Sequence, residues 1–225
     1  MPRIILSLIF LLFTVLFISA CAGDYGRHYV DDEMIGTVWE VKKGEKIVVD
    51  ISEWETRNSK GNKKDIAYPY AANIKEETVI NHEDGTKASI EDIKKGQKVL
   101  VNPPRGNDFE GYPEEIVLLE MTYEEKYARL LSHIDGLNLV VMYEDEEKLP
   151  SELQEPIYEN ITNILKNKDQ RAVAAWMEYD EDYVVDFKEE LGIERFPVML
   201  VFNKEELVFK TYYVDDLYNF FNTFR

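Results

Sequence analysis

The chain has 225 residues, of which 44 are acidic and 26 are Lys or Arg, and its formal charge is −18 at pH 7. Nucleic acids and anionic lipid surfaces are therefore not expected as partners, since both would repel such a chain. Solubility alone also accounts for the charge. Aromatic residues make up 12% of the chain, so a packed core is expected rather than disorder.

The N-terminus has the pattern of a targeting sequence. A short cationic start is followed by an uncharged apolar run over residues 4–20, which ends in Ser-Ala directly before Cys21. This pattern resembles the signal of bacterial lipoproteins, in which a peptidase cuts before a cysteine that carries lipid. The resemblance implies a signal peptide at 1–20, and a lipidated Cys21 with a tether at 21–33. An uncleaved membrane anchor and an ordinary secretory signal are the alternatives.

Residues 34–121 show the short apolar–polar alternation of β-strands. Strands are predicted at residues 46–51, 67–74, 78–80, 98–101 and 115–121. A polar loop is predicted at 58–64, and Ser89 with Asp92 indicates the start of one short helix. Several short strands at close spacing predict an all-β domain over residues 34–121, built as a small barrel or a sandwich.

Three motifs in this region are similar to a known kind of domain. They are Gly-Thr-Val at 36–38, the hairpin pattern T-x-I…DG at 78–85, and DIKKGQKV at 92–99. They resemble small OB-like barrels of unknown function in secreted proteins of Gram-positive bacteria. The resemblance implies an OB-like barrel and supplies no catalytic residues. Such barrels commonly bind ligands on one face. Five aromatic residues either stack there on a sugar or peptide or belong to the core and rim: Trp39, Trp54, Tyr68, Tyr70 and Tyr112.

Residues 122–225 instead alternate between helix and strand patterns. Thr122 and Glu125 form a capping box that opens a helix running through Ile134. The following elements are a strand at 137–143, a helix capped by Ser151 that contains Ile157 and Ile161, a strand at 172–177, a helix at 184–191 closed by Gly192, strands at 198–202 and 207–211, and a final helix capped by Asp215 and containing Phe224. This order predicts an α/β domain over residues 122–225.

The order of these elements is also that of thioredoxin-like proteins. Residues 191–202, LGIERFPVMLVF, are similar to the thioredoxin-like passage that carries a cis-proline. The resemblance implies a thioredoxin-like domain and a cis bond before Pro197. The C-x-x-C motif of the family would follow the strand that ends at Tyr143, but residues 144–151 contain no cysteine. Dithiol–disulfide chemistry is therefore excluded.

The sequence shows no other catalytic or metal-binding pattern. His28, His82 and His133 are scattered and lack the spacing of a metal site. The acids at 180–182 and Asp186 would suit calcium, but the glycine and distal glutamate of an EF-hand are absent, and helix capping explains these acids. We therefore expect no enzymatic activity, no cofactor and no metal.

A thioredoxin-like fold has a peptide-binding groove beside its cis-proline, where an extended chain adds to exposed backbone. The residues expected to line this groove are Tyr143, Glu144, Phe196, Pro197 and Val198. The prediction is a lipid-anchored protein on the extracytoplasmic face of the cell membrane that binds or scaffolds a protein or peptide. Two alternatives are an accessory lipoprotein of envelope folding or stress response, and a module that binds sugars or cell-wall polymers through the barrel aromatics.

Overall fold

The computed structural model describes residues 33–42, 44–58, 66–166 and 168–223. The predicted signal peptide, Cys21 and all of the tether except Glu33 lie outside these ranges, as do residues 59–64 of the predicted polar loop and Phe224. Within the described ranges the chain is mixed α/β and contains two β-sheets. None of the helices described there is long and apolar enough to cross a membrane.

The first sheet has seven strands among the described residues, in the order β4-β7-β5-β1-β2-β3-β6. The strands are β1 Met34–Lys42, β2 Lys46–Asp50, β3 Pro69–Asn73, β4 Val79–His82, β5 Lys98–Asn102, β6 Glu110–Gly111 and β7 Glu115–Leu118. Neighbours are antiparallel except for the pairs β3/β6 and β4/β7. Residues 110–118 contain both β6 and β7, and they pair with β3 at one end and with β5 at the other. This stretch therefore closes β1, β2, β3 and β5 into a ring.

Alternating side chains build the core of this ring. In β2 and β5 every second residue is buried, and Ile47, Val49 and Val99 are fully enclosed. This is the period of two that the sequence predicts for both strands. A bulge in β1 shifts the register between Val38 and Glu40, and Trp39 at this point is 44% exposed. Trp39 is therefore a surface residue and not a part of the core.

A helix that the sequence pattern does not predict, α1 Ser52–Asn58, follows β2. The carboxylate of Asp50 accepts hydrogen bonds from the amide of Ser52 (3.0 Å) and from its hydroxyl, which fixes the first turn. Trp54 is the one buried residue of the helix. A single buried position gives no helical periodicity, and for this reason the helix cannot be read from the apolar pattern.

The second sheet has four described strands in the order β11-β10-β8-β9. The strands are β8 Leu137–Tyr143, β9 Ala172–Glu178, β10 Val198–Phe202 and β11 Leu207–Thr211, and the helices are α2 Tyr123–Tyr127, α3 Glu155–Leu165, α4 Phe187–Glu190 and α5 Val214–Thr223. β8 and β9 are parallel, whereas β10 is antiparallel to β8 and β11. α3 and α5 cover one face, and α2 and α4 pack on the other.

All four predicted strands of this sheet are confirmed, but α2 is much shorter than predicted. It opens with the predicted capping box and ends at Tyr127 instead of running through Ile134. The Leu130 carbonyl accepts a hydrogen bond from the Asn138 side chain (2.9 Å), and the Ser132 amide donates to the Asn203 carbonyl (2.9 Å). Tertiary contacts therefore use the backbone groups that a longer helix would need.

The other helix starts differ from the predictions by a few residues. α4 begins at Phe187 instead of residue 184, because Asp186 caps it by accepting hydrogen bonds from the amides of Lys188 and Glu189. Ser151 begins a separate 3-10 turn, Ser151–Leu153, and does not cap α3. Asp215 lies inside the first turn of α5 rather than before it.

The two sheets meet at the turn that contains Lys95 and Gly96. The amide of Val184 donates to the Lys95 carbonyl at 2.7 Å, and Lys95 Nζ lies 2.7 Å from a carboxylate oxygen of Asp180. Gly96 has a φ of +78°, and the Tyr183 ring packs directly against it. This turn of the first sheet is therefore held by residues that follow β9 of the second.

Candidate functional site

The candidate groove lies where β8 and β9 end and β10 begins. The bond between Phe196 and Pro197 is cis, as predicted. Val198 opens β10 and pairs with Met142, one residue before the end of β8. The amide of Tyr179 donates to the carbonyl of Tyr143 at 2.7 Å, which fixes the chain just after β9 beside the end of β8.

An aromatic wall stands beside the cis-proline. The rings of Phe196 and Tyr179 stack, with centroids 5.0 Å apart and an interplanar angle of 30°. Lys188 Nζ lies 5.4 Å from the centroid of Phe196 and 5.9 Å from that of Tyr179, within the range of a cation–π contact. The same ammonium group lies 3.6 Å from a carboxylate oxygen of Glu144. Lys188 therefore links Glu144 to the wall.

A hydrogen bond to Asp186, the N-terminal cap of α4, holds the Tyr179 side chain in place. The Tyr179 hydroxyl donates a hydrogen bond to Asp186 Oδ1 at 2.8 Å. The same oxygen accepts hydrogen bonds from the backbone amides of Lys188 and Glu189. The hydrogen bond from Tyr179 and those from the two amides lower the pKa of Asp186. Burial first, and then the hydrogen bond to Asp186, raise the pKa of Tyr179 to about 12.

Tyr179→Phe is expected to lower the free energy of unfolding at neutral pH by about 1 kcal/mol, the contribution of one partly solvated hydrogen bond to a charged group. Asp186 has a lowered folded pKa, so its contribution is present above its ordinary value of 3.8 and lost as the pH falls through the folded pKa. Tyr179 has a raised pKa, so its contribution is present below 10.0 and lost as the pH rises toward about 12.

Urea unfolding of the wild type and of Tyr179→Phe at several pH values measures this difference. The two stability curves should run parallel between pH 3.8 and 10.0 and converge outside that window. Tyr158→Phe is the control, because Tyr158 is an exposed residue of α3, and α3 packs on the opposite face of the sheet. A pH-independent difference would contradict the role assigned to the hydrogen bond.

The structure brings most of the predicted groove residues together. Phe196 and Pro197 are half-buried and Glu144 is exposed. Tyr143 is half-buried at the end of β8, but its side chain packs on the opposite face of the sheet, with the residues that α3 and α5 cover, so it does not line the groove as predicted. Val198 is fully buried and packs into the core, so its side chain does not line the groove as predicted. Within the described part of the chain, the amide and carbonyl of Phe196 make no hydrogen bond.

The sequence reading missed Tyr179 and Lys188 as parts of this site. Tyr179 follows β9, and its position next to Tyr143 depends on the parallel register of β8 and β9. Lys188 comes from a four-residue helix whose N-terminal cap is Asp186. The capping role of Asp186 agrees with the interpretation from sequence, and that cap was the one signal that pointed to this segment.

The five aromatic residues singled out in the region of the first sheet do not form a second wall of the same kind. Trp54 and Tyr70 belong to the core, and Tyr68 is half-buried and stacks on Phe109 with centroids 5.8 Å apart. Trp39 and Tyr112 are the two exposed members, at 44% and 61%. Three of the five residues are therefore not free to stack on a sugar.

A cavity of about 500 Å³ at the meeting of the two sheets is lined by acidic residues, His82, Lys126 and Val184. Its acids have local roles. Glu83 accepts a hydrogen bond from the Glu120 amide (2.8 Å), and Asp92 accepts hydrogen bonds from the amide and the hydroxyl of Ser89. In the described ranges there is no group of three or more His, Asp or Glu residues that could hold a metal ion.

No protein-family model matches the chain, and no curated protein matches it.

Proposed function

We propose that this protein is an extracytoplasmic lipoprotein that is anchored to the cell membrane through Cys21 and binds an extended peptide segment without catalysing a reaction. The anchor rests on the apolar run before Cys21. The absence of any cysteine after Cys21 leaves no thiol for redox chemistry in the rest of the chain.

The finer fold assignment belongs to the same proposal: an OB-like barrel over residues 34–121 and a thioredoxin-like domain over residues 122–225. The ring of β1, β2, β3, residues 110–118 and β5 supports the first part. The parallel pair β8/β9, the antiparallel hairpin β10/β11 and the cis bond before Pro197 support the second.

The observation that carries the proposal is the unpaired backbone of Phe196. Its amide and carbonyl have no hydrogen-bond partner among the described residues, and its ring is only half-buried. Exposed main-chain groups beside a strand are the template that an extended peptide uses in strand addition, while pockets for its alternate side chains give specificity. The stacked rings of Phe196 and Tyr179 provide an apolar surface for one such side chain.

A short peptide in which valine alternates with glutamine tests the proposal. The full chain in detergent micelles should bind this peptide in a fluorescence-anisotropy titration, and it should not bind the fully N-methylated version, which cannot donate backbone hydrogen bonds. Equal binding of the two peptides would exclude strand addition as the mode of recognition.

Phe196→Asp should weaken this binding at least about tenfold, because it removes the apolar surface and places a charge beside the peptide backbone. Tyr158→Asp is the matched control, since Tyr158 is 38% exposed on α3, which packs on the opposite face of the sheet. Circular dichroism and the melting temperature check that both variants are folded. Undiminished binding by folded Phe196→Asp would refute the assignment of the groove.

A further inference from the structure

The two edge strands of the second sheet, β11 and β9, differ in how they are protected. At the β11 edge, Lys210 Nζ donates hydrogen bonds to the carbonyls of Leu191 and Gly192, and a register shift interrupts the pairing of β11 with β10. A lysine and a bulge are devices that keep an edge from pairing with another chain. β9 has neither, because its residues 172–177, AVAAWM, carry no charge and pair with β8 in unbroken register.

The outward-facing backbone of β9 has no hydrogen-bond partner in the described part of the chain. The Leu137 amide donates to the Arg171 carbonyl, and the Tyr179 amide donates to the Tyr143 carbonyl. The odd-numbered residues from 171 to 179 therefore bond to β8, because the bonding residues of a strand alternate. Residues 172, 174, 176 and 178 present their amides and carbonyls to the open edge, where no described group bonds to them.

β9 is also less buried than its neighbour, although its sequence is similarly apolar. β8 is buried at every residue from Leu137 to Met142, whereas Met177 is the one buried residue of β9. Side chains of β9 pack into the cores on both faces of the sheet. The remaining exposure is therefore on the side where no strand follows, and a long apolar edge of this kind is a site of association with another strand.

We propose that the free edge of β9 pairs with the same edge of a second copy of this chain, antiparallel and related by a twofold axis at Ala175. The proposal is independent of the peptide groove. In this register all residues of β9 are paired, since Ala172 lies opposite Glu178. Ala174 likewise lies opposite Trp176. Every outward-facing residue then exchanges both of its main-chain hydrogen bonds with its counterpart, and the two sheets become one.

The charges at the two ends of β9 favour a second copy over an unrelated strand. Arg171 precedes the strand and Glu178 ends it, and both side chains are exposed. Because the two copies run antiparallel, each Arg171 lies one residue away from Glu178 of the other copy, at both ends of the pair. Opposite charges at this distance attract, and the uncharged middle of the strand does not repel its copy.

Disulfide trapping tests the register. In the proposed pair the two copies of residue 175 face each other with their Cα atoms about 4.5 Å apart, a distance that a disulfide can bridge. Ala175→Cys in the full chain in detergent micelles should therefore give a crosslinked dimer with copper phenanthroline as the oxidant. The unchanged chain gives the background from Cys21.

Val173→Cys is the matched control, because residue 173 lies on the same edge and on the same face of the sheet as residue 175. Its two copies would be about 13 Å apart along the strands, too far for a disulfide. Equal crosslinking at the two positions, or no crosslinking at residue 175, would overturn the proposal.

Charge reversal tests the choice of partner. Arg171→Glu should weaken dimerisation about tenfold at low ionic strength, because the twofold axis repeats each new like-charge contact. Glu178→Arg should have a similar effect, and the two changes together should restore the dissociation constant to within about threefold, since they restore the attraction. Lys87→Glu is the control, because Lys87 is exposed in the turn after β4 of the first sheet, and we expect less than about a twofold effect.

Sedimentation equilibrium of the full chain in density-matched detergent measures the dissociation constants, and circular dichroism checks that each variant is folded. A dimer that is unaffected by both single reversals would form through another surface and would overturn the proposal. A chain that stays monomeric at every concentration would also overturn it, and would leave the β9 edge to a strand of another protein or of a part of this chain outside the described ranges.

Discussion

Gly96→Ala is expected to lower the free energy of unfolding by about 3 kcal/mol, from two separate costs. The first is conformational, because the φ of +78° at Gly96 is unfavourable for any residue with a Cβ. The second is steric, because a Cβ at this position would stand 2.3 Å from Cε2 of the Tyr183 ring, which is itself buried. Neither partner of this contact can move freely.

Gly44→Ala separates the two costs. Gly44 has the same φ of +78°, but a Cβ there would meet nothing within 4 Å. We therefore expect a loss of about 1 kcal/mol for Gly44→Ala, the conformational cost alone. Urea unfolding of the full chain measures both variants. Equal losses would show that the Tyr183 ring adapts without cost and would contradict the steric explanation.

A double-mutant cycle with Tyr183→Ala gives an independent check. If the Cβ at residue 96 displaces the Tyr183 ring, Tyr183→Ala should cost less in the Gly96→Ala background than in the wild type. The same turn also carries the contacts of Lys95 with Val184 and Asp180. Because Tyr183 is also a buried member of the core under α2 and α4, loss of the ring contact should weaken both that core and the connection between the two sheets.

Nine of the eleven described strands were predictable because their pattern is local, whereas β1 and β6 of the first sheet were not among the predicted strands. β2 alternates buried and half-buried residues, and β8 is an almost continuous apolar run that is buried on both faces of its sheet. The residues from 198 to 211 form a hairpin as expected, with Asn203 at the turn accepting hydrogen bonds from the amides of Glu205 and Glu206. These elements need no information from distant residues.

The elements that could not be predicted depend on distant contacts. α2 stops early because Asn138 and Asn203 bind backbone groups that follow it, and no local pattern reveals those partners. The site shows the same limit. The cis-proline was predictable from the resemblance of residues 191–202, whereas Tyr179 reaches the groove only through the register of β9 on β8.

Arg105 and Glu55 form a buried ion pair. Arg105 Nη2 and Nε lie 2.6 and 3.2 Å from the same carboxylate oxygen of Glu55, and the side chains are only 10% and 13% exposed. The guanidinium also lies 3.8 Å from the ring centroid of Phe109. A pair this deeply buried is screened little by salt, so its energetics should not depend on ionic strength.

Arg105→Met is expected to lower the free energy of unfolding by about 3 kcal/mol, because it leaves the Glu55 carboxylate buried without its cation. Arg105→Met combined with Glu55→Met should lose much less, since no charge then remains to be desolvated. Lys148→Met is the control, because the Lys148 side chain is 82% exposed in its pair with Asp145, and we expect no measurable change. Urea unfolding at low and high salt measures all three variants. A double variant that is less stable than Arg105→Met alone would show that the packing of the two side chains, and not the unpaired charge, determines the stability of this region.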